Sequence, residues 1–119
     1  MTLVIQVSKP PFGHENTFAA FYVASASLSK GMDVIVLLMG DGAYAAVKGQ
    51  IGAQENIDLP PTEPQVKDII ELGGRVIAEA AALEMRNIKS HDLIEGIEIK
   101  ELKEIQEIIL DHGEKVAAF

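Results

Sequence analysis

The chain has no cysteine among its 119 residues, which excludes disulfides, thiolate metal sites and cysteine nucleophiles together. Basic residues are also few: 10 Lys and Arg stand against 18 Asp and Glu, giving a formal net charge of −8 and a pI near 4.7. Neutralisation of phosphates by basic side chains is the main source of nucleic-acid affinity, so this balance argues against nucleic acid as a partner. No apolar run approaches the roughly 20 residues that span a bilayer, and no basic stretch precedes an apolar one at the N-terminus. A soluble, cytoplasmic protein with no membrane contact is expected. The three histidines, His14, His91 and His112, lie far apart with no pair at ligand spacing, so neither a metal site nor a cofactor is expected. No internal repeat is visible, and residues 1–119 read as one domain, long enough to bury about two thirds of the surface its unfolded form exposes.

What is present starts with LVIQV at residues 3–7, a Pro/Gly loop over residues 8–17, and an apolar helix over residues 18–28. Strand, loop and helix in that order make the first half of a βαβ unit. Ligands of open α/β sheets sit at the carboxyl ends of the strands, which makes residues 8–17 the expected working edge. Residues 32–39 (MDVIVLLM) are apolar without alternation, as in a parallel strand covered on both faces. Gly40-Asp41-Gly42 then opens a short helix over residues 43–48, with Asp41 either its N-cap or one side of an anion site. Residues 49–61 read as an unusually long loop, either a lid or an intersubunit arm.

A helix starts at Thr62-Glu63-Pro64, with Val66, Ile69, Ile70 and Leu72 as its buried stripe, and ends at Gly73-Gly74. Residues 75–78 are a short third strand continued by an alanine-rich helix over residues 79–86. The alternating residues 94–99 (IEGIEI) read as a fourth strand. Residues 100–112 form an amphipathic helix carrying Leu102, Ile105, Ile108 and Ile109, Gly113 supplies a left-handed cap, and residues 115–119 close the chain as a fifth strand. In the first helix Phe18, Phe21, Tyr22 and Leu28 fall to one side while Ala19, Ala20, Val23 and Ala24 fill most of the rest. A helix apolar nearly all round is buried on more than one face, which predicts either a neighbouring subunit or cover from the long loop.

The order and spacing of Pro11-Phe12-Gly13, Leu37-Leu38-Met39-Gly40-Asp41, Lys48-Gly49-Gln50, Arg86-Asn87-Ile88, residues 93–99 and residues 115–119 resemble the DsrE/DsrF family, especially its small YchN-like members, along essentially the whole chain. The resemblance implies a three-layer α/β/α sandwich on a parallel five-stranded sheet. It also implies a homo-oligomer, trimer or hexamer, or a heterohexamer of related subunits. The sulfur-relay members carry a reactive cysteine just after the third strand and pass persulfide sulfur between partners. Here the corresponding position is Ala78, Glu79 or Ala82, none of which forms a persulfide. The resemblance therefore implies a non-catalytic accessory subunit working beside a cysteine-bearing partner of the Dsr or Tus type, or a small-ligand-binding protein.

The candidate ligand-binding residues are Phe12, Gly13, His14, Met39, Asp41, Glu79 and Arg86. His14 is either a general base or a helix-capping, solvated side chain. Glu79 is either a ligand carboxylate or a helix-start residue favoured by the dipole. Arg86 matches an arginine common in the family and holds either an anion or a salt bridge to Asp92 or Glu84. Met39 reads as core filler or pocket wall. His91 and His112 are read as structural. The alternatives are a small-molecule enzyme using His14 and Glu79 as an acid–base pair and a purely structural oligomer.

Overall fold

In the computed structural model, which describes residues 1–12, 15–49, 61–112 and 114–119, the opening apolar run forms strand β1, Thr2–Val7, and helix α1 covers Glu15–Ser29. Strand β2 is Asp33–Leu38, followed by a 3-10 helix at Gly40–Ala46, and α2 is Thr62–Glu71. Strand β3 is Arg75–Glu79, α3 is Ala80–Met85, β4 is Glu98–Lys100, α4 is Leu102–His112 and β5 is Val116–Ala118. The strands lie in the order β4-β3-β2-β1-β5 and every pair is parallel.

That order places the helices. From β1 to β4 each connection steps one strand in the same direction, whereas β4 to β5 returns across the whole sheet. Right-handed crossovers then require α1, α2 and α3 on one face and α4 on the other. The buried side chains agree, alternating along β1, β2 and β3. Ile5, Val7, Val34, Val36, Leu38, Val76 and Ala78 pack with Phe21, Ala24, Val66 and Ile69. Val4, Ile35, Leu37 and Ile77 pack beneath Ile105 of α4. The fold is the expected three-layer α/β/α sandwich on a parallel five-stranded sheet.

Four local expectations are corrected. In α1 the buried stripe is Thr17, Ala20, Phe21 and Ala24, with Leu28 half-buried against it. Phe18 and Tyr22 sit on the next flank, rings 6.3 Å apart, and Tyr22 is 65% exposed, because the i, i+3, i+4 stripe that buries Phe21 turns them aside. Leu72 is not part of the α2 stripe: it follows the last helical turn and is exposed. The fourth strand does not span residues 94–99. Ile94 is buried and donates its N–H to the Ala46 carbonyl, Ile97 turns back to Ile94, and Gly96 takes a φ of +96°, so pairing begins only at Glu98. The short helix after β2 is a 3-10 helix that begins earlier, and Met39 rather than Asp41 occupies its N-cap position. The cap expected at Gly113 and most of the loop over residues 49–61 lie outside the described residues. At that loop's near end, Gly49 N–H donates to Glu63 Oε1 at 2.7 Å.

The 3-10 helix lies directly on the end of β1. A Cβ built on Gly42 stands 2.1 Å from the Val7 carbonyl oxygen, so no side chain fits without moving backbone. Gly42→Ala is expected to destabilise the fold by roughly 2–3 kcal/mol, read as a lower urea midpoint at unchanged slope. At the opposite end of the sheet Arg75 of β3 makes a two-pronged pair with Glu98 of β4, Nε to Oε2 at 3.0 Å and Nη2 to Oε1 at 2.8 Å. This pairing holds the Glu98 carboxyl below its ordinary value near 4.5. The folded state therefore binds that proton less readily than the unfolded chain. The stabilisation is complete above the ordinary value and is lost as pH falls through the lowered one. Glu98→Gln is expected to cost about 0.5–1 kcal/mol near pH 7 and almost nothing near pH 3, in urea unfolding at the two pH values.

Candidate functional site

Three parallel strands deliver their carboxyl ends to one edge. β1 leads into residues 8–12, β2 into Met39 and the 3-10 helix, and β3 into Glu79 and α3. The first loop is held from below by Thr17, a buried α1 residue whose hydroxyl lies 3.0 Å from each of the Lys9 and Pro10 carbonyls. In the 3-10 helix Gly42, Ala43, Ala45 and Ala46 are buried, so its larger side chains, Asp41 and Tyr44, turn away from the sheet. α3 ends in a Schellman turn: Ile88 N–H donates to the Leu83 carbonyl at 3.0 Å and Asn87 N–H to the Glu84 carbonyl at 3.1 Å. Asn87 supplies the left-handed residue, φ +54°, immediately after Arg86.

These backbone features bring four side chains into a row. Nε and Nη2 of Arg86 both donate to Oδ1 of Asp41, at 3.1 and 2.8 Å, and Nη1 donates to the Ala82 carbonyl at 3.1 Å. The guanidinium carbon lies 5.9 Å from the centroid of the Tyr44 ring, within cation–π range. Tyr44 in turn faces Phe12, centroids 5.9 Å apart and planes inclined at 52°. The Arg86 side chain is 19% exposed and that of Asp41 58%. The partner of Arg86 is thus Asp41, not Asp92 or Glu84. Asp92 instead accepts the Lys89 N–H at 2.9 Å and lies 3.4 Å from His91 Nε2.

Of the residues predicted from sequence, Phe12, Asp41 and Arg86 fall together. Met39 is half-buried against the Val4, Ile35, Leu37, Ile77 and Ile105 cluster beneath α4. Glu79 ends β3 half-buried, opposite Lys100 in the β3–β4 register, with no side-chain bond to the α3 amides. Gly13 and His14 lie outside the described residues, and so does the geometry of a His14–Glu79 acid–base pair. His91 is exposed in the turn at Ser90–Asp92, and His112 closes α4. Sequence reasoning missed Tyr44; its one signal is that it is the only large side chain in an alanine-rich segment. Among the described residues no group of three or more His, Asp or Glu could hold a metal ion, and no helix is long and apolar enough to cross a membrane.

The left-handed position at Asn87 sets where Arg86 leaves α3. Asn87→Gly is expected to keep or slightly raise the melting temperature, while Asn87→Val, β-branched at positive φ, is expected to lose roughly 1–2 kcal/mol. Calorimetry of the two variants beside the parent checks both.

Comparison with known proteins agrees with this fold. The model of the DsrE/DsrF-like family matches residues 1–119. The uncharacterised protein MJ0989 of Methanocaldococcus jannaschii is 28% identical over 105 residues, covering 88% of this chain and 89% of that protein. The crystal structure of the YchN protein from E. coli superposes with a TM-score of 0.85 at 24% identity, covering 100% of both chains. MTH1491 of Methanobacterium thermoautotrophicum, a protein of unknown function, gives 0.74 at 13% identity, covering 99% of this chain and 98% of that one. The two structures share the fold, and the whole-length family match carries the assignment: this chain belongs to the DsrE/DsrF-like family.

Proposed function

We propose that this chain is a non-catalytic, oligomeric small-ligand-binding protein that works beside a cysteine-bearing relative in intracellular sulfur metabolism. The observation that carries the ligand-binding part is the row Phe12, Tyr44, Arg86 and Asp41 at the carboxyl edge of the sheet, where α/β folds hold their ligands. It combines an apolar wall with a few fixed polar groups, the composition of small-molecule sites. For sulfur transfer, the non-catalytic part rests on chemistry. A persulfide needs a thiol, the chain has none, and the family resemblance puts the relay cysteine at Ala78, Glu79 or Ala82. Oligomerisation is supported by the apolar flank of α1, where Phe18 lies beside Tyr22, the latter 65% exposed.

Native mass spectrometry of the untagged protein from its own cell extract tests the ligand-binding and oligomeric parts. A homo-oligomer with a reproducible extra mass, lost in an Arg86→Leu, Tyr44→Leu double variant, is the expected result. A mixed assembly with a cysteine-bearing relative and no small molecule would make the chain a scaffold. A ligand-free monomer would overturn the proposal.

A further inference from the structure

The two edges of the sheet differ in how they are protected. β4, at one end, is a short strand carrying Glu98 and Lys100, with Glu98 held by Arg75. Charged side chains on a short strand blunt an edge against further pairing. β5, at the other end, reads Val116-Ala117-Ala118, with neither a charge nor a proline. Its bonds to β1 fix where its remaining backbone groups point. The Lys115 carbonyl accepts the Val4 N–H at 2.9 Å, and the Phe119 N–H donates to the Gln6 carbonyl at 2.8 Å. Alternate residues of a strand bond to the same neighbour, so residues 115, 117 and 119 serve β1, and the N–H and C=O groups of Val116 and Ala118 point away from the sheet. Both residues are exposed. Strong donors and acceptors therefore stand in line on an apolar edge, and such groups call for partners.

We infer that β5 is the seam at which two copies of this chain join, antiparallel about a two-fold axis at Ala117; the inference rests on the oligomeric reading above and assigns it a surface. With Ala117 facing its own copy, Val116 of each chain lies opposite Ala118 of the other. Such pairs exchange both N–H···O bonds, so every outward group of the two residues finds its partner. Because β4 is blunted, the bare edge that a second copy offers is again β5, which makes the contact self-complementary and closed rather than head-to-tail. The side chains fit the same axis. Val116 is in register with Val4, which packs on the α4 face, so Val116 lies on that face as well. There it lines a groove of about 540 Å³ with Ile109 and Leu110 of α4. The two-fold axis sets both α4 helices on one side of the joined sheet, with the two grooves meeting at the seam. Leu110, 82% exposed, and Val116, 43% exposed, gain cover there. Asp111 and Glu114 border the same groove, so the seam also gathers carboxylates from both copies, a repulsion that salt screens. A basic strand from another protein would show the opposite salt dependence.

Ala118→Pro removes an outward N–H and no bond to β1, and Leu110→Lys puts a charge in the groove at a position already in water. Sedimentation velocity of the full chain at about 0.15 M salt, over a range of concentrations, compares both with the parent. The parent is expected as an even-numbered assembly. Each variant is expected to weaken the seam by about tenfold or more and to give species of half the mass, since every substitution counts twice across the axis. Amide hydrogen exchange reads the seam without any substitution: Val116 and Ala118 are expected to be protected in the assembly and to lose protection on dilution, while Ala117 keeps its protection. Lowering the salt is expected to favour the smaller species. A trimeric parent, an assembly of unchanged size in both variants, or unprotected Val116 and Ala118 amides in the assembled parent would overturn the seam and leave the oligomeric reading standing. Association that strengthens at low salt would overturn the pairing of copies in favour of a basic partner strand. A parent that stays monomeric at every concentration removes the seam and the oligomeric reading together.

Discussion

The carboxyl edge depends on how closely the backbone after β2 approaches the end of β1. The Val7 carbonyl accepts the Met39 N–H at 2.9 Å, and Gly42 passes so near the same oxygen that only hydrogen fits on its Cα. This double contact stops the chain from leaving the sheet as soon as β2 ends. It folds into a 3-10 helix whose inner residues, Ala43, Ala45 and Ala46, are small because the backbone lies flat on the core. With the inward positions taken by glycine and alanine, the bulk of the segment projects the other way, as Asp41 and Tyr44. The site is a by-product of close packing on its inner side.

Magnitudes show which interactions arrange the row and which merely occupy it. The Asp41–Arg86 pair is largely exposed on its carboxylate side, and such pairs contribute about 0–1 kcal/mol. Leu83, 5% exposed in α3, contributes about 1.5–3 kcal/mol by burial alone, and Ala82 is buried beside it. The helix is therefore seated by its apolar face and closed by the left-handed turn at Asn87, and Arg86 is carried to Asp41 by that seating. The ion pair can open without disturbing the fold.

The sheet was legible from sequence because its determinants are local. Residues 34–38 are apolar without alternation because both faces of β2 are covered, one by α1 and α2 and the other by α4, and that pattern survives in any window. The misreadings came where a distant partner decides. The alternation of Ile94, Ile97 and Ile99 resembles a strand, yet Ile94 is buried in a turn tied to Ala46, a residue 48 positions earlier. Asp41 looks like a helix cap until an arginine 45 residues later takes its carboxylate. In α1 a run of aromatic and small residues leaves the phase of the helix open, and only packing selects Phe21 over Tyr22. Local periodicity carries no record of such pairings.

The same burial pattern bears on the missing thiol. Of the three positions where the family resemblance implies a cysteine, Ala78 is wholly buried in β3 and Ala82 is 3% exposed in α3, both within the main core cluster. A cysteine at either would be a small core residue, its thiolate disfavoured by desolvation and its sulfur out of reach of a partner protein. Glu79, half-buried where β3 gives way to α3, is the one position of the three that faces both the edge and solvent. At that position the chain carries a carboxylate, which shares the negative charge of a thiolate but not its capacity to bond sulfur. Of the three positions the resemblance implies, Glu79 is thus the one from which a thiol would be accessible.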